Sequence, residues 1–180
     1  YYGPLSGVTA RVGGPPTSLC GVEDLTIVGG SATDRAVSWS GADRCWIKGV
    51  EAFNITGGHG AIYIEDGLQC EIRRCYIHDC PNYPYQADGY GLSLYYGCSY
   101  CLVEDNITYR LGCGIGMLGA SGNAVMYNYD LLSHRSNHLW VDQALISNHG
   151  PHGVMNLFEG NVIARFQNDG YHGSQSHNTI

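Results

Sequence analysis

Cys70-Glu71-Ile72-Arg73-Arg74-Cys75 is one of the clearest copies of a short segment that recurs along this chain. Five further copies share its order of apolar and polar residues, and they begin at Cys20, Cys45, Cys101, Asn123 and Asn156. The third residues of the six copies are Val22, Ile47, Ile72, Val103, Val125 and Phe158, so successive copies lie 25, 25, 31, 22 and 33 residues apart. A segment that returns every 20 to 50 residues or so is the signature of a repeat architecture. The sequence therefore predicts a stack of similar units.

Apolar residues alternate with polar ones inside each copy. In the copy quoted above, Cys70 and Ile72 alternate with charged residues, and Cys75 and Ile77 resume the alternation after a break. This period of two residues is typical of β-strands and does not fit a helix. A further short apolar stretch, such as Ala61–Ile64, precedes most copies. Three short strands for each repeat, joined by Gly-rich turns, predict one coil of a parallel β-helix. A β-sandwich, the main alternative, should show hairpin turns instead.

From about Cys20 onward, these features resemble the right-handed parallel β-helix proteins of the pectate-lyase-like superfamily. The resemblance implies an all-β solenoid of about six to seven coils, with residues 1–180 forming a single domain. The chain opens on Tyr1 without a Met and stops at Ile180 where another strand should begin, so we expect an excerpt that lacks its end caps. The superfamily includes lyases, hydrolases, epimerases, phage tailspikes and adhesins, so the resemblance does not imply one activity.

Equivalent residues of neighbouring coils should stack into ladders inside the solenoid. One interior column is predicted to contain Cys20, Cys45, Cys70, Cys101, Asn123 and Asn156. A second column is predicted to contain Leu25, Val50, Cys75, Asn106, Asn128 and Asn161. Stacked Asn side chains can exchange amide hydrogen bonds from coil to coil, and the run of three Asn is similar to the asparagine ladder of the superfamily. We interpret the column of cysteines as packed thiols, while pairing of Cys80, Cys98 or Cys113, which lie at turns, stays open.

The composition argues against several classes of partner. The net charge is −7 and Lys48 is the only lysine, which argues against binding to a phosphate backbone and hence to nucleic acid. No apolar run approaches the roughly 20 residues that span a bilayer, so we expect no membrane span. No signal peptide is visible, and we expect a trimmed or mature form of a secreted or cell-surface protein.

Outward-facing residues on the first strand of each coil should line a long surface groove. Aromatic faces beside carboxylates suit a polysaccharide, because sugar C–H faces pack on rings while sugar hydroxyls bond to acids. The predicted substrate-binding residues on this groove and its loops are Tyr63, Glu65, Tyr95, Trp140, His149 and His152. The alternative for the tyrosines is that Tyr simply favours exposed strands.

The densest polar set lies on a later loop and strand and supplies the predicted catalytic residues. Asp142 and Asp169 are the expected acid–base groups, His138 and His172 the expected proton carriers, and Arg135 the expected contact to a substrate carboxylate. These residues can also be explained as loop side chains that bond to turns. The sequence does not choose between the two.

A local resemblance bears on the reaction. The segment from His138 to Asp142 is similar to the Trp-Ile-Asp-His segment of pectate lyases, although Gln143 replaces the His and no Arg-x-Pro-x-x-Arg element is present. A lyase would often use calcium, for which Asp142, Asn168 and Asp169 are the candidate ligands. A glycoside hydrolase needs two carboxyls, for which the candidate pairs are Asp142 with Asp169 and Asp88 with Glu65. We interpret His59, in a Gly-His-Gly segment, as a turn residue.

Two functions follow from these observations. The first is a secreted protein that binds or cleaves a polysaccharide in the groove, as a lyase or a glycoside hydrolase. The alternative is a non-catalytic fibre, spike or surface protein. The unpaired strand edges at the two ends of a solenoid favour end-to-end or side-by-side self-association in that case. Binding to a polysaccharide panel and the oligomeric state would separate the two.

Overall fold

The structure, a computed structural model, describes residues 14–30, 32–81, 83, 89–134 and 144–180. These residues form eighteen short strands, numbered in chain order, and contain no helix. No helix among them is therefore long and apolar enough to cross a membrane. The first strand of each coil joins a seven-stranded front sheet that contains, in spatial order, β1 (Thr17–Ser18), β4 (Val37–Asp43), β7 (Ile62–Leu68), β10 (Tyr90–Leu94), β13 (Cys113–Met117), β16 (Leu145–Ile146) and β18 (Phe166–Gln167).

Two further sheets complete each coil. The second sheet contains β2 (Gly21–Glu23), β5 (Trp46–Lys48), β8 (Glu71–Arg73), β11 (Leu102–Glu104), β14 (Ala124–Met126) and β17 (Leu157–Glu159). The third sheet contains β3 (Thr26–Val28), β6 (Glu51–Phe53), β9 (Tyr76–His78), β12 (Ile107–Tyr109) and β15 (Tyr129–Leu131). Every strand pairs in parallel with the equivalent strand of the next coil. The predicted all-β parallel β-helix, with seven coils represented in the front sheet, is confirmed.

The repeated segment is the second sheet and the corner that follows it. Its third residues pair directly from coil to coil, as in Ile47 with Ile72 and Val103 with Val125. Single residues with positive φ form the corner between the second and third sheets, among them Asp24 (50°), Asp105 (55°) and Gly49 (61°). This left-handed conformation turns the chain sharply within one residue, which is why Gly and Asp recur there. The corner is the break in the alternation that the sequence shows.

The two predicted ladders lie inside the solenoid except at the first copy, where Leu25 of the second column is exposed. Cys45, Cys70 and Cys101 are buried in the first column, whereas Cys20 is exposed because no described coil covers it. The four cysteines of this column, Cys20, Cys45, Cys70 and Cys101, are thiols without a disulfide. The interpretation of the column as packed thiols is therefore confirmed for its inner members.

Asparagine side chains form hydrogen-bonded ladders in both columns. The Asn106 amide donates to Asn128 Oδ1 over 2.9 Å, and the Asn128 amide donates to Asn161 Oδ1 over 2.9 Å. In the first column Asn123 donates to Asn156 over 3.2 Å, and Asn156 donates to Asn178 over 3.2 Å. The asparagine ladder predicted at residues 106, 128 and 161 is confirmed. The second ladder extends the cysteine column to Asn178, which was outside the predicted set.

Asp130 is a carboxylate that faces the interior from the third sheet, where most coils carry an apolar residue. It is 5% exposed. Thr108 Oγ1 donates to Asp130 Oδ2 over 2.6 Å and Ser133 Oγ donates over 2.5 Å, while Oδ1 has no partner. Burial raises the pKa of Asp130 above its ordinary value, and the two hydroxyl bonds only partly oppose this effect.

The raised pKa of Asp130 predicts a pH-dependent stability. The folded protein binds the proton more tightly than the unfolded chain, so this stabilisation is complete below the ordinary Asp pKa of about 4 and disappears as pH rises through the folded pKa. Relative to an Asp130→Asn variant, the wild type should therefore gain free energy of unfolding when the pH falls from neutral into the acidic range. Urea unfolding of both proteins at two pH values measures the difference. An equal difference at both pH values would contradict the assignment.

Candidate active site

A cleft of about 340 Å³ lies on the outer face of the front sheet. Its wall is built from the loop before β7, the ends of β10 and the loops that follow β13, β16 and β18. The lining residues are Gly58, His59, Tyr90, Tyr95, Tyr96, Leu118, His149 and His172. From β10 to β18 the cleft crosses three strand spacings, or about 14 Å. The residues that line the cleft are therefore brought together by stacking, since they come from five different coils.

His149 and Asp169 form a hydrogen-bonded pair at one wall of the cleft. The Nδ1 atom of His149 contacts the Oδ2 atom of Asp169. The carboxylate is held in turn, because its Oδ1 accepts the backbone N–H of Tyr171 over 2.8 Å. The side chain of Asp169 is 14% exposed and that of His149 is 36% exposed. With Nδ1 engaged by the acid, Nε2 is the ring nitrogen of His149 that is left for a ligand or a proton transfer.

The loop that carries His149 is fixed to the preceding coil. The His149 backbone N–H donates to the carbonyl of Met117 over 2.7 Å. The neighbouring Asn148 is fully buried, and its Oδ1 accepts the backbone N–H of Gly119 over 2.9 Å. These bonds set the backbone beneath the imidazole, so the position of His149 does not depend on an exposed, freely moving loop.

Aromatic rings surround the pair. His149 stacks on Tyr171, with ring centroids 5.7 Å apart and an angle of 9° between the planes. His172 packs edge-on against His149 at 4.8 Å. Across the cleft, His59 meets Tyr95 edge-on at 5.5 Å. The result is a ring-lined space with an oriented imidazole in its wall.

A row of side chains extends the cleft along the front sheet. The Tyr63 ring lies between the guanidinium of Arg35, 3.9 Å from its centroid, and the ring of Tyr95, at 4.7 Å. Burial, together with the charge and hydrogen bond of Glu65, raises the pKa of Tyr63 to about 12. Burial also raises the pKa of Tyr95. Both phenols therefore remain protonated at neutral pH and can donate hydrogen bonds.

Several predicted site residues come together in this region. Asp169, His172, His149 and Tyr95 meet at the cleft, and Tyr63 continues the row with Glu65 as its hydrogen-bond partner. His152 is different, because it is exposed in the turn after Pro151 and does not line the cleft. Four predicted residues and one further candidate carboxylate fall outside the described residues and stay predictions: Arg135, His138, Trp140, Asp142 and Asp88.

The described calcium candidates already use their side-chain oxygens within the protein. Asn168 Oδ1 accepts the Ser147 hydroxyl over 3.1 Å. The two carboxylate oxygens of Asp169 accept from His149 and from the Tyr171 backbone. Among the described residues, no three His, Cys, Asp or Glu side chains cluster so as to hold a metal ion. The third candidate, Asp142, lies outside the described residues, so the calcium site stays a prediction.

The sequence reasoning missed part of the cleft. His59, interpreted as a turn residue, lines it, as do Tyr90 and Tyr96. Arg35 was not a candidate at all, although it covers Tyr63. The strand register could have indicated Arg35. Ser38 pairs with Tyr63, so the loop before β4, which carries Arg35, lies beside Tyr63.

A second His–Asp pair, His78 with Asp79, differs from the His149–Asp169 pair in its surroundings. His78 Nδ1 contacts Asp79 over 2.8 Å, but its Nε2 also contacts Glu51 over 3.3 Å. Its ring is stacked between Tyr76 and Phe53 on the outer face of the third sheet. Both ring nitrogens of His78 contact carboxylates, so this pair is best explained as a surface contact.

Comparisons with known proteins bear on the architecture. The family described as "right handed beta helix region" matches residues 19–180. Comparison with curated proteins and with solved structures found no match. The matched range covers every described strand except β1, and the three parallel sheets are those that a coil of such a helix requires. The chain therefore belongs to the right-handed β-helix family.

Proposed function

We propose that the cleft binds a glycan chain and that His149, oriented by Asp169, removes a proton from the bound sugar. The observation that carries this proposal is the His149–Asp169 pair in the wall of a cleft lined with aromatic rings. A histidine whose Nδ1 is held by a carboxylate has a defined tautomer and a free Nε2, which is the arrangement of a general base.

The shape and lining of the cleft favour a sugar. Its volume of about 340 Å³ falls in the range of small-molecule sites. The rings of Tyr95, Tyr96 and His172 offer flat apolar faces with polar edges. The cleft follows the front sheet across several coils, which suits one part of a chain better than an isolated small molecule. A polysaccharide ligand also fits the proposed secreted or cell-surface location.

The types of residue in the cleft favour elimination over hydrolysis. A typical glycoside hydrolase places two carboxyls about 5 to 9.5 Å apart on either side of the bond. The described lining residues include histidines and tyrosines but no carboxylate, since Asp169 lies behind His149. Proton abstraction by an imidazole is the chemistry that this set supports.

In the proposed reaction, His149 Nε2 takes the proton from the carbon next to the carboxylate of a uronic acid. The electron pair of that C–H bond forms a double bond within the ring, and the adjacent bond from carbon to the glycosidic oxygen breaks. The leaving oxygen takes a proton from a phenol, and Tyr95, whose ring contacts His59 edge-on in the cleft, is the proposed donor. The positively charged guanidinium of Arg35 lies beside Tyr63. Arg135 remains the predicted contact to the substrate carboxylate.

The test is a panel of polygalacturonate, alginate, hyaluronan and chondroitin sulfate, with neutral xylan as a comparison. We expect one uronate polymer to be cleaved, with the ultraviolet absorbance of an unsaturated product. Asp169→Asn should lower the rate by about 10²-fold or more, because the amide no longer stabilises the protonated imidazole or selects its tautomer.

The matched control is Asp105→Asn, which makes the same change of charge at an exposed corner between the second and third sheets. This variant should keep the wild-type rate. If no polymer were bound or cleaved, or if both variants behaved alike, the proposal would fail. Absence of glycan binding together with concentration-dependent assembly in sedimentation would favour the fibre or adhesin alternative.

A further inference from the structure

Ser93 is a buried hydroxyl without a partner on the outer face of the front sheet. Its neighbours Leu92 and Leu94 face the interior, so Ser93 points outward, as the alternation predicts. The residue is nevertheless fully buried, and its Oγ atom makes no hydrogen bond. Gly60 passes over it with a φ of 145°, and a Cβ at Gly60 would lie 2.8 Å from Ser93 Oγ. The backbone therefore covers one side of the hydroxyl.

A small niche remains open on the other side. Ser93 pairs with Gly116 of the next coil. Both residues line a space of about 10 Å³, together with the Tyr90 ring that packs over Gly116. A Cβ at Gly116 would lie 3.7 Å from Ser93 Oγ and 2.7 Å from the Tyr90 ring. Ile146 and His149 also line the niche. His149 thus borders both the niche and the larger cleft.

The size and polarity of the niche restrict what can enter it. Its volume corresponds to about one water-sized probe. A buried water usually makes about three hydrogen bonds. The polar groups in the niche lining are Ser93 Oγ, the Tyr90 and Tyr95 hydroxyls and the His149 ring. A buried hydroxyl left unpaired destabilises the folded protein. Departures of this kind from the usual bonding are expected at functional sites.

We propose that the niche receives a single hydroxyl group of a sugar whose ring lies in the cleft, and that Ser93 Oγ hydrogen-bonds to it. The ligand class rests on the proposed function, but the niche does not require that the sugar be cleaved. The space admits a hydroxyl and excludes an O-methyl, O-acetyl or N-acetyl substituent at the same ring position. Ser93 is thus a specificity residue that anchors the ring beside His149.

The test uses 1,2-ethanediol, the smallest mimic of neighbouring sugar hydroxyls, titrated into the ¹⁵N-labelled protein. In the wild type we expect saturable shifts of the Ser93 and Gly116 amide signals. Ser93→Ala should weaken binding by about 10-fold, the loss of one hydrogen bond, while its melting temperature rises because an unpaired buried hydroxyl is gone. Gly116→Ala fills the niche and should abolish the response.

The matched control is Ser99→Ala, which removes a hydroxyl that bonds to the Gly97 carbonyl on the same coil and should leave diol binding unchanged. If the Gly116→Ala variant does not fold, the diol affinity of the Ser93→Ala variant tests the proposal by itself. The proposal is overturned if the wild type shows no saturable response, or if Ser93→Ala binds the diol as the wild type does. Diol binding without cleavage of any polymer would refute the proposed function and leave the niche assignment standing.

Discussion

A His149→Gln variant should cleave the susceptible uronate polymer about 10²- to 10⁴-fold more slowly than the wild type, the usual contribution of a general base. Glutamine can still bond to Asp169, but it has no basic nitrogen to accept the proton. The loss should fall on kcat, because His149 is one of several residues in the cleft wall and the rings of Tyr95 and Tyr96 remain. Initial rates across substrate concentrations separate kcat from KM.

The control for this variant is His78→Gln. It removes a histidine with the same Nδ1 contact to an aspartate, but on the outer face of the third sheet, away from the cleft. Its rate should equal that of the wild type. If the His149 variant retained full kcat, or if both variants lost the same activity, His149 would not be the base.

The largest loss of stability is expected from Asn128→Ala. The Asn128 amide donates to the carbonyl of Val103 over 3.0 Å and to Asn161 Oδ1 over 2.9 Å. Its Oδ1 accepts both the backbone N–H and the side-chain amide of Asn106. Truncation leaves these groups buried and unpaired in the middle of the stack, where water cannot replace the bonds. We expect the free energy of unfolding to fall by about 3 to 5 kcal/mol.

Asn54→Ala is the comparison, because the Asn54 side chain donates one hydrogen bond, to the Gly29 carbonyl over 2.7 Å, from a corner with a positive φ. Its loss should cost about 1 to 2 kcal/mol. Urea unfolding of both variants at neutral pH gives the two values. Equal losses would mean that the ladder adds nothing beyond ordinary single bonds.

The interior was predictable because coils repeat. Residues such as Ile47 and Ile72 occupy the same place in successive copies. The alternation of apolar and polar residues indicates which side chains of a strand face inward. The exposure of the end residue Cys20 and the continuation of the ladder to Asn178 were missed because both depend on which coils lie next to them. The comparison of equivalent positions predicts the surroundings of a residue only where a coil lies on both sides of it.

The cleft was only partly predictable because its residues come from loops of unequal length. His149 and Asp169 are 20 residues apart, and nothing in their local sequence states that Nδ1 meets the carboxylate. His59 was interpreted as a turn residue because its Gly-His-Gly segment is short, yet the loop folds back on the row of tyrosines. Ser93 faces outward, as the period of two residues predicts, but the backbone of Gly60 covers it, which the period does not show.

The architecture is encoded in the repeat: the copies that begin at Cys45, Cys70 and Cys101 encode strand, corner and strand, and coils built on one pattern stack with equivalent residues in register. Which polar groups meet is set only by the packing of the coils against one another. Strand stacking sets the distance between coils, but each loop takes its path from packing against the loops above and below it. The pairing of His149 with Asp169 and the niche beside Ser93 are consequences of that packing, which no single coil contains.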